Sequence, residues 1–152
     1  MQLSAICVLT TAKSYTQAIY TVGMGCERHC PLSALEDLWL DCLQQAKLTP
    51  EHIQSINSIA LKKDEAGLIA LARKYQKPFL TWDTTALATV ENQLSTRSDY
   101  VYRITGVYGV AESAALYAAQ QSAQSTAFLS LAKQKNTQAT CAIACVYPVD
   151  IK

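Results

Sequence analysis

Segments that suit β-strands alternate with segments that suit α-helices along almost the whole of this chain. The strand-like segments cover residues 17–22, 55–61, 78–82, 100–105, 126–131 and 139–146. Between them, apolar residues recur at the three- and four-residue spacing of a helix face, as at Leu35, Leu38 and Trp39. Such alternation is typical of a parallel sheet covered by helices on both faces. We therefore predict an α/β fold, a three-layer α/β/α sandwich with a mostly parallel sheet and a C-terminal antiparallel strand.

The composition fits one folded domain with an ample core. Half of the 152 residues are hydrophobic and 16% are charged, whereas disordered chains have the opposite balance. We expect a single domain over residues 1–152, with residues 1–14 as an N-terminal extension. This extension would be either a loose arm or an extra edge strand.

Charge and hydropathy argue against two classes of partner. The net charge of +1 gives no general attraction to nucleic acid or to an anionic membrane. No segment approaches the roughly 20 apolar residues that a membrane-spanning helix needs. Any recognition of an anion must then depend on a local cluster of lysines and arginines.

The cysteines are expected to be reduced. A chain of this length is stable without disulfides, and its first residues lack the basic region and the cleavage site of a secretory signal. We therefore expect a cytoplasmic protein with free thiols. The six cysteines are Cys7, Cys26, Cys30, Cys42, Cys141 and Cys145.

Capping residues and glycines predict where several elements begin and end. Ser33 and Glu36 have the spacing of a capping box, which predicts a helix that starts there. Glycines predict turns over residues 23–31 and 106–109. The alanine-rich residues 110–120 are predicted to form a helix thin enough to pack close against the sheet.

Several glycine-bearing or basic segments directly follow predicted strands. The carboxyl ends of parallel strands lie at one edge of an open α/β sheet, and ligands bind in the crevice there. We therefore expect these segments to share one rim with a basic character, unless the lysines are ordinary solvated residues. The cationic candidates are Arg28, Lys62, Lys63, Lys133 and Lys135.

Residues 23–30 are a candidate anion-binding loop. Gly23 and Gly25 would let successive backbone amides form a nest around an anion, although a tight structural turn explains these glycines equally well. Arg28 stands where a dinucleotide-binding fingerprint needs its third glycine, so the segment is not a nucleotide motif.

A metal site in the same loop is a weaker hypothesis. Cys26, His29 and Cys30 lie within five residues of one another. A structural zinc site needs four ligands, usually with a Cys-x-x-Cys pair, and that spacing is missing. We therefore predict structural thiols and no metal.

Two glutamates near predicted helix starts are candidate site residues. Glu65 and Glu112 each lie beside a positive segment and could act as a general acid or base, or contact amide groups of a ligand. The simpler interpretation is that both favour the positive end of a helix.

Four motifs occur in a fixed order over nearly the whole chain. They are Gly-Met-Gly-Cys-Glu-Arg at 23–28, Ser-Ile-Ala-Leu-Lys-Lys-Asp-Glu-Ala-Gly-Leu at 58–68, Gly-Val-Tyr-Gly-Val-Ala-Glu-Ser-Ala-Ala-Leu at 106–116, and Lys-Gln-Lys at 133–135 before the strand at 139–144. Together they resemble the CobE/CbiG C-terminal family of cobalamin biosynthesis. His29 departs from the pattern, because the family often has glycine there.

The resemblance implies a domain that binds or delivers an acidic precorrin or corrinoid tetrapyrrole and carries no cofactor of its own. Other enzymes of cobalamin biosynthesis are implied as partners. The alternative is a hydrolase, or hydrolase subunit, that opens the ring lactone of cobalt-precorrin-5A and releases acetaldehyde. The family's long members do this, but they have N-terminal and central regions that are absent from this sequence, so enzymatic activity stays open.

A tetrapyrrole intermediate also suits the basic rim. Its acetate and propionate groups would pair with Arg and Lys, and its flat face would lie against Tyr108 and apolar strand ends. No catalytic residue is assigned. The predicted ligand-binding residues are Gly23, Gly25, Cys26, Arg28, Lys62, Glu65, Gly106, Tyr108, Gly109, Glu112, Lys133 and Lys135.

Overall fold

Five strands form one mixed sheet in the computed structural model, which describes residues 17–148. The predicted extension over residues 1–14 lies outside the described part. The strands are β1 (Ile19–Cys26), β2 (Ile53–Ile59), β3 (Phe79–Trp82), β4 (Phe128–Lys135) and β5 (Ala139–Val146), and the order across the sheet is β3-β2-β1-β5-β4.

The strand directions confirm the predicted mixed sheet. Strand β1 pairs in parallel with β2, and β2 with β3. Strand β5 lies between β1 and β4 and is antiparallel to both. Strands β1 to β4 therefore point in one direction and β5 in the other. The predicted closing hairpin is also present as β4 and β5.

Helices cover both faces of the sheet, as predicted. They are α1 (Leu32–Ala46), α2 (Ala66–Lys74), α3 (Thr84–Ala88), α4 (Asp99–Thr105) and α5 (Val110–Ala123). On one face α1 and α2 bury side chains such as Leu35 and Leu68 against β1, β2 and β5. On the other face α5 packs Ala115 and Leu116 against β5. None of these helices, within residues 17–148, has the length and apolarity needed to cross a membrane.

Strand β1 and helix α5 approach each other unusually closely. A Cβ atom on Gly23 would lie 2.0 Å from the Ala111 carbonyl oxygen and 2.6 Å from the Ala115 amide nitrogen. The Thr21 hydroxyl donates a 2.7 Å hydrogen bond to the Ala115 carbonyl. Gly23 therefore lets the helix contact the strand directly, and the alanine-rich helix behaves as predicted.

The predicted turn over residues 23–31 is wrong in its first half. Strand β1 continues to Cys26, and its glycines pair with β5 in the ladder. The turn is confined to the four residues that follow, where His29 adopts a left-handed φ of 63°. A glycine usually indicates a turn, but here the close approach of α5 requires Gly23 inside a strand.

The predicted capping box is also wrong. Helix α1 begins at Leu32 with Pro31 as its N-cap, so Ser33 is already helical and its side chain caps nothing. Glu36 instead pairs with the Lys74 ammonium at 2.8 Å and accepts a hydrogen bond from the Tyr75 hydroxyl. Its carboxylate joins α1 to the end of α2.

The predicted strand over residues 100–105 is a helix, α4. Aromatic and β-branched residues favour a strand there, but the ends of the segment favour a helix. The Ser98 hydroxyl accepts a 3.1 Å hydrogen bond from the Val101 amide, and Gly106 ends the helix with a φ of 88°. Capping therefore outweighs strand propensity in this exposed segment.

Candidate functional site

The carboxyl ends of the four codirectional strands lie at one edge of the sheet, which we call the carboxyl edge. Cys26 at the end of β1 faces Ala139, and Lys135 at the end of β4 faces Thr140. Helices α2 and α5 begin at the same edge, where Val110 contacts Gly25. The carboxyl edge comprises residues 26–30, 60–65, 83–84, 106–110 and 133–140.

Glu65 organises the first part of this edge. Its carboxylate, 2% exposed, accepts hydrogen bonds from Arg28 Nη1 at 2.8 Å and from the His29 amide at 2.7 Å. Lys62 Nζ lies 3.9 Å from the same carboxylate, and Asp64 pairs with Arg28 Nη2 at 3.2 Å. The structure thus brings Arg28, Lys62 and Glu65 together.

The pKa of Glu65 lies below its ordinary value. Burial alone would raise this pKa, but hydrogen bonds from Arg28 and the His29 amide, with the positive charge of Lys62, outweigh that effect. The carboxylate is therefore ionised at neutral pH and acts as an acceptor within the protein.

We expect this group to make folding stability depend on pH in the acid range. A carboxyl whose pKa is lowered by folding stabilises the fold above its unfolded pKa, and this contribution disappears as pH falls through the folded pKa. Glu65→Gln should be about 2 kcal/mol less stable at neutral pH, because Arg28, Lys62 and the His29 amide lose their ionised partner. Its stability should also fall less steeply below about pH 5. Urea unfolding at a series of pH values measures both effects.

Glu51→Gln is the matched control, since Glu51 is exposed. It should follow the wild-type pH dependence, to which the lowered pKa values of Glu36 and Asp64 also contribute. A Glu65→Gln profile parallel to that of the wild type would refute the role assigned to Glu65.

Glu112 connects three segments of the chain near the start of α5: the first turn of α5, Ser95 and strand β4. Its carboxylate, 3% exposed, accepts hydrogen bonds from the Ser95 amide and the Lys133 amide, both at 2.8 Å. The Ser95 hydroxyl donates a third, at 2.5 Å. The β4–β5 register is irregular between Leu131 and Gln134, which lets the Lys133 amide turn away from the ladder to this carboxylate.

These contacts favour the interpretation that both glutamates stabilise the positive ends of helices over the one that they act on a ligand. Glu65 is the N-cap residue of α2, and Glu112 lies in the first turn of α5. Both carboxylates are buried and accept hydrogen bonds from the protein itself. Their geometry therefore suits residues that hold the edge together better than a general acid or base.

The predicted anion-binding nest does not form. Gly23 and Gly25 lie within the β1 ladder, so their amides do not line a loop. In the turn that follows, the Glu27 amide donates to the Gln138 carbonyl and the Cys30 amide to the Glu27 carbonyl. The His29 amide donates to the Glu65 carboxylate. An anion at this edge would have to bind side chains instead.

The thiols at the end of β1 are poor metal ligands. Burial, then the neighbouring Cys30 thiol, raises the pKa of Cys26 to about 12, against the effect of Lys62. Burial also raises the pKa of Cys30. Metals bind the thiolate form. Over residues 17–148, no group of three or more His, Cys, Asp or Glu side chains is arranged to hold a metal ion.

The predicted cations divide into two groups. Arg28 and Lys62 lie beside Asp64 and Glu65, so their charge is compensated locally. Lys63, Lys133 and Lys135 form no ion pair with a carboxylate in the part of the chain that the structure describes. The register places both groups at the carboxyl edge.

Residues 95–109 form a segment with three tyrosines that reaches this edge at residues 106–109. The Tyr108 ring stacks on Tyr102 with centroids 4.5 Å apart, and the Arg97 guanidinium lies 4.1 Å from the Tyr108 centroid. Gly106 approaches Thr84 beyond β3, and Gly109 is the N-cap of α5. Sequence reasoning found Tyr108 but missed Tyr102, because residues 100–105 were predicted to be a strand, and it did not single out Arg97.

Two hollows on the surface of residues 17–148 lie away from the carboxyl edge. One of about 240 Å³ lies between β3 and the C-terminal half of α5, beside Leu80 and Ala118. Another, about 310 Å³ and open to solvent, is lined by residues 120, 121 and 124–126, at the end of α5. Neither includes a predicted site residue, so the candidate site is the surface of the carboxyl edge.

Comparisons with known proteins confirm the family resemblance. The family model "Cobalamin synthesis G C-terminus" matches residues 20–144. Protein CobE of a Sinorhizobium species is 30% identical over 123 residues, which cover 81% of this chain and 77% of that protein. The crystal structure of CobE, a protein from the cobalamin (vitamin B12) biosynthetic pathway, superimposes with a TM-score of 0.81 at 29% identity, covering 85% of this chain and 94% of that one.

A longer relative matches over a part of its length. The cobalt-precorrin-5A hydrolase of Priestia megaterium is 30% identical over 140 residues, which cover 91% of this chain but 35% of that enzyme. The chain thus spans about a third of the hydrolase. It belongs to the cobalamin synthesis G C-terminus family, and is a cobalamin biosynthesis protein of the CobE and CbiG type.

Proposed function

We propose that the chain binds an acidic tetrapyrrole intermediate of cobalamin biosynthesis at the carboxyl edge, to hold it or deliver it to another enzyme. The observation that carries this proposal is that lysines without an ion pair and the half-buried Tyr108 lie at the same edge of the sheet. Lys133 and Lys135 lie there without a carboxylate partner among the described residues, and Tyr108 lies beside the start of α5. A flat ring with several carboxylates matches both features.

Binding is favoured over hydrolysis by this chain alone. Glu65 and Glu112 are the carboxyl groups that sequence reasoning assigned to acid or base chemistry, and both accept hydrogen bonds from the protein's own donors. The chain also matches about a third of the Priestia hydrolase. Incubation of the purified chain with cobalt-precorrin-5A, followed by an acetaldehyde assay, tests the alternative. Release of acetaldehyde would establish hydrolysis in place of simple binding.

Removing two unpaired lysines should weaken binding in a salt-dependent way. Hydrogenobyrinic acid, a cobalt-free corrin with several carboxylates, is a suitable probe, and absorbance titration gives its dissociation constant. We expect Lys133→Ala with Lys135→Ala to raise that constant about tenfold at low salt, because each lost ion pair contributes up to about 1 kcal/mol. The difference from wild type should shrink at high salt, which screens the pairs.

A matched double variant removes two cations from the opposite end of α2. Arg73 is in the last turn of that helix, and Lys77 follows it before β3. Arg73→Ala with Lys77→Ala should leave the dissociation constant within about twofold, since neither residue lies at the carboxyl edge. Wild-type protein that binds no hydrogenobyrinic acid at low salt would overturn the proposed function. Equal losses in both double variants would refute this location.

A further inference from the structure

We propose that α4 and Tyr108 form a platform on which the flat face of the tetrapyrrole lies. The aromatic platform consists of Arg97, Tyr102 and Tyr108, flanked by Tyr100 and Arg103. The inference rests on the proposed function and adds to it the surface that would hold the conjugated ring, as distinct from the lysines that would pair with its carboxylates.

The platform is exposed although it consists largely of aromatic rings. Tyr100 is 65% exposed and Tyr102 is 45% exposed, and α4 has no buried residue. The helix is anchored by Val101, which packs against the core cluster that includes Leu87 and Val107, and its ends are fixed by the Ser98 cap and the left-handed Gly106. A group of large exposed rings in a monomer is typical of a recognition surface.

The rings are arranged in parallel planes. Tyr102 and Tyr108 stack with an interplanar angle of 20°, and the Arg97 guanidinium lies over the Tyr108 ring, 4.1 Å from its centroid, so a macrocycle would stack on the outer side of Tyr102 or of the guanidinium. A conjugated macrocycle binds to such surfaces by offset stacking on rings and by contact with guanidinium planes.

The charges on the platform suit a polycarboxylate. Arg97 and Arg103 form no ion pair with a carboxylate among residues 17–148. Arg103 lies 5.9 Å from the Tyr100 ring, and Asp99 at the start of α4 is the acidic residue of this helix. The two arginines outnumber that acid, so the platform offers positive charge beside its rings.

The platform is continuous with the lysines of the carboxyl edge. The Ser98 amide donates a hydrogen bond to the Tyr108 carbonyl, and this bond joins the residue before α4 to the residues after it. Ser95 at its start is bound to Glu112, which also binds the Lys133 amide. The backbone of Lys133 is therefore held, through the buried Glu112, beside the start of the segment that carries the platform. An exposed aromatic patch also suits a protein partner, but continuity with the unpaired lysines favours the ring.

Removing the aromatic rings should separate stacking from charge pairing. We expect Tyr102→Leu with Tyr108→Leu to raise the dissociation constant for hydrogenobyrinic acid at least tenfold and to diminish the absorbance shift on binding. The salt dependence should persist, since Lys133 and Lys135 remain. Tyr102→Phe with Tyr108→Phe keeps both rings and should bind within about twofold of wild type.

A second stacked aromatic pair provides the control. Phe128 and Tyr147 stack 6.1 Å apart at the opposite edge of the sheet, and both are about half exposed. Phe128→Leu with Tyr147→Leu should leave binding unchanged. Thermal unfolding of each variant shows whether its fold is intact.

The outcomes distinguish the platform from the proposed function. Absence of binding by the wild type would overturn both. Wild-type binding that depends on Lys133 and Lys135 but not on Tyr102 and Tyr108 would overturn the platform alone. The platform would also be overturned if the leucine variant kept its affinity for the corrin but no longer co-purified with another cobalamin biosynthesis protein.

Discussion

Gly23→Ala is expected to destabilise the fold by about 3 kcal/mol or more, because a single methyl group there would separate β1 from α5. The new Cβ would lie 2.0 Å from the Ala111 carbonyl oxygen and 2.6 Å from the Ala115 amide nitrogen. Both are backbone atoms inside a helix, so no side-chain rotation relieves the contact. The whole helix would have to move, and the hydrogen bond from Thr21 to Ala115 would lengthen. Urea unfolding followed by circular dichroism measures the loss.

Gly109→Ala is the control for this substitution. Gly109 has an extended φ of −172°, and the nearest atom to a Cβ built there is Leu94 Cδ1 at 3.8 Å. The expected cost is at most about 1 kcal/mol, that of a weaker N-cap residue. If Gly23→Ala were as stable as Gly109→Ala, the close contact between β1 and α5 would be refuted.

Glu112→Ala should be the second most damaging substitution, at about 3 kcal/mol. It removes the acceptor for the amides of Ser95 and Lys133 and for the Ser95 hydroxyl. A fully buried donor without an acceptor costs about 1–3 kcal/mol, and the three donors here should together cost about 3 kcal/mol because Ser95 is exposed and water can satisfy part of its loss. Native-state hydrogen exchange should show faster exchange at the amides of Ser95 and Lys133, and urea unfolding gives the total loss.

Two further glutamate variants test whether the effect is specific. Glu112→Gln keeps one acceptor oxygen and should lose about half as much stability. Glu51→Ala removes an exposed carboxylate and should change stability by less than about 0.5 kcal/mol. Unchanged exchange at Ser95 and Lys133 in Glu112→Ala would mean that these amides do not depend on Glu112.

Much of the fold follows from local pattern. The alternation of strand and helix segments predicted the sheet, its covering helices and the closing hairpin. The end of β1 was missed because a sequence shows that Gly23 permits a turn, but not that α5 needs the space. Helix α4 was missed because Tyr, Val and Ile favour a strand, although Ser98 and Gly106 are visible helix boundaries.

The candidate site was predictable in location but not in detail. The rule that carboxyl ends of parallel strands share an edge placed Arg28, Lys62 and Lys133 correctly at that edge. Which of these cations has its charge neutralised by a carboxylate, however, depends on the side-chain conformations at the helix starts. Glu65 neutralises part of the predicted basic rim, and Glu112 binds backbone amides distant in sequence. The pairing of Glu65 with Arg28, 37 residues apart, and the contacts of Glu112 have no sequence spacing that would reveal them.

Helix α4 bears on how ligand preference can be altered. Because Tyr100 and Ile104 are 65% and 57% exposed, most exchanges at these two positions should change folding stability by about 0.5 kcal/mol or less. The chemistry of the proposed platform can therefore be varied at these positions almost independently of the fold. A library of substitutions limited to these exposed positions should consist largely of folded proteins, which suits it to testing the proposed selectivity among corrin precursors.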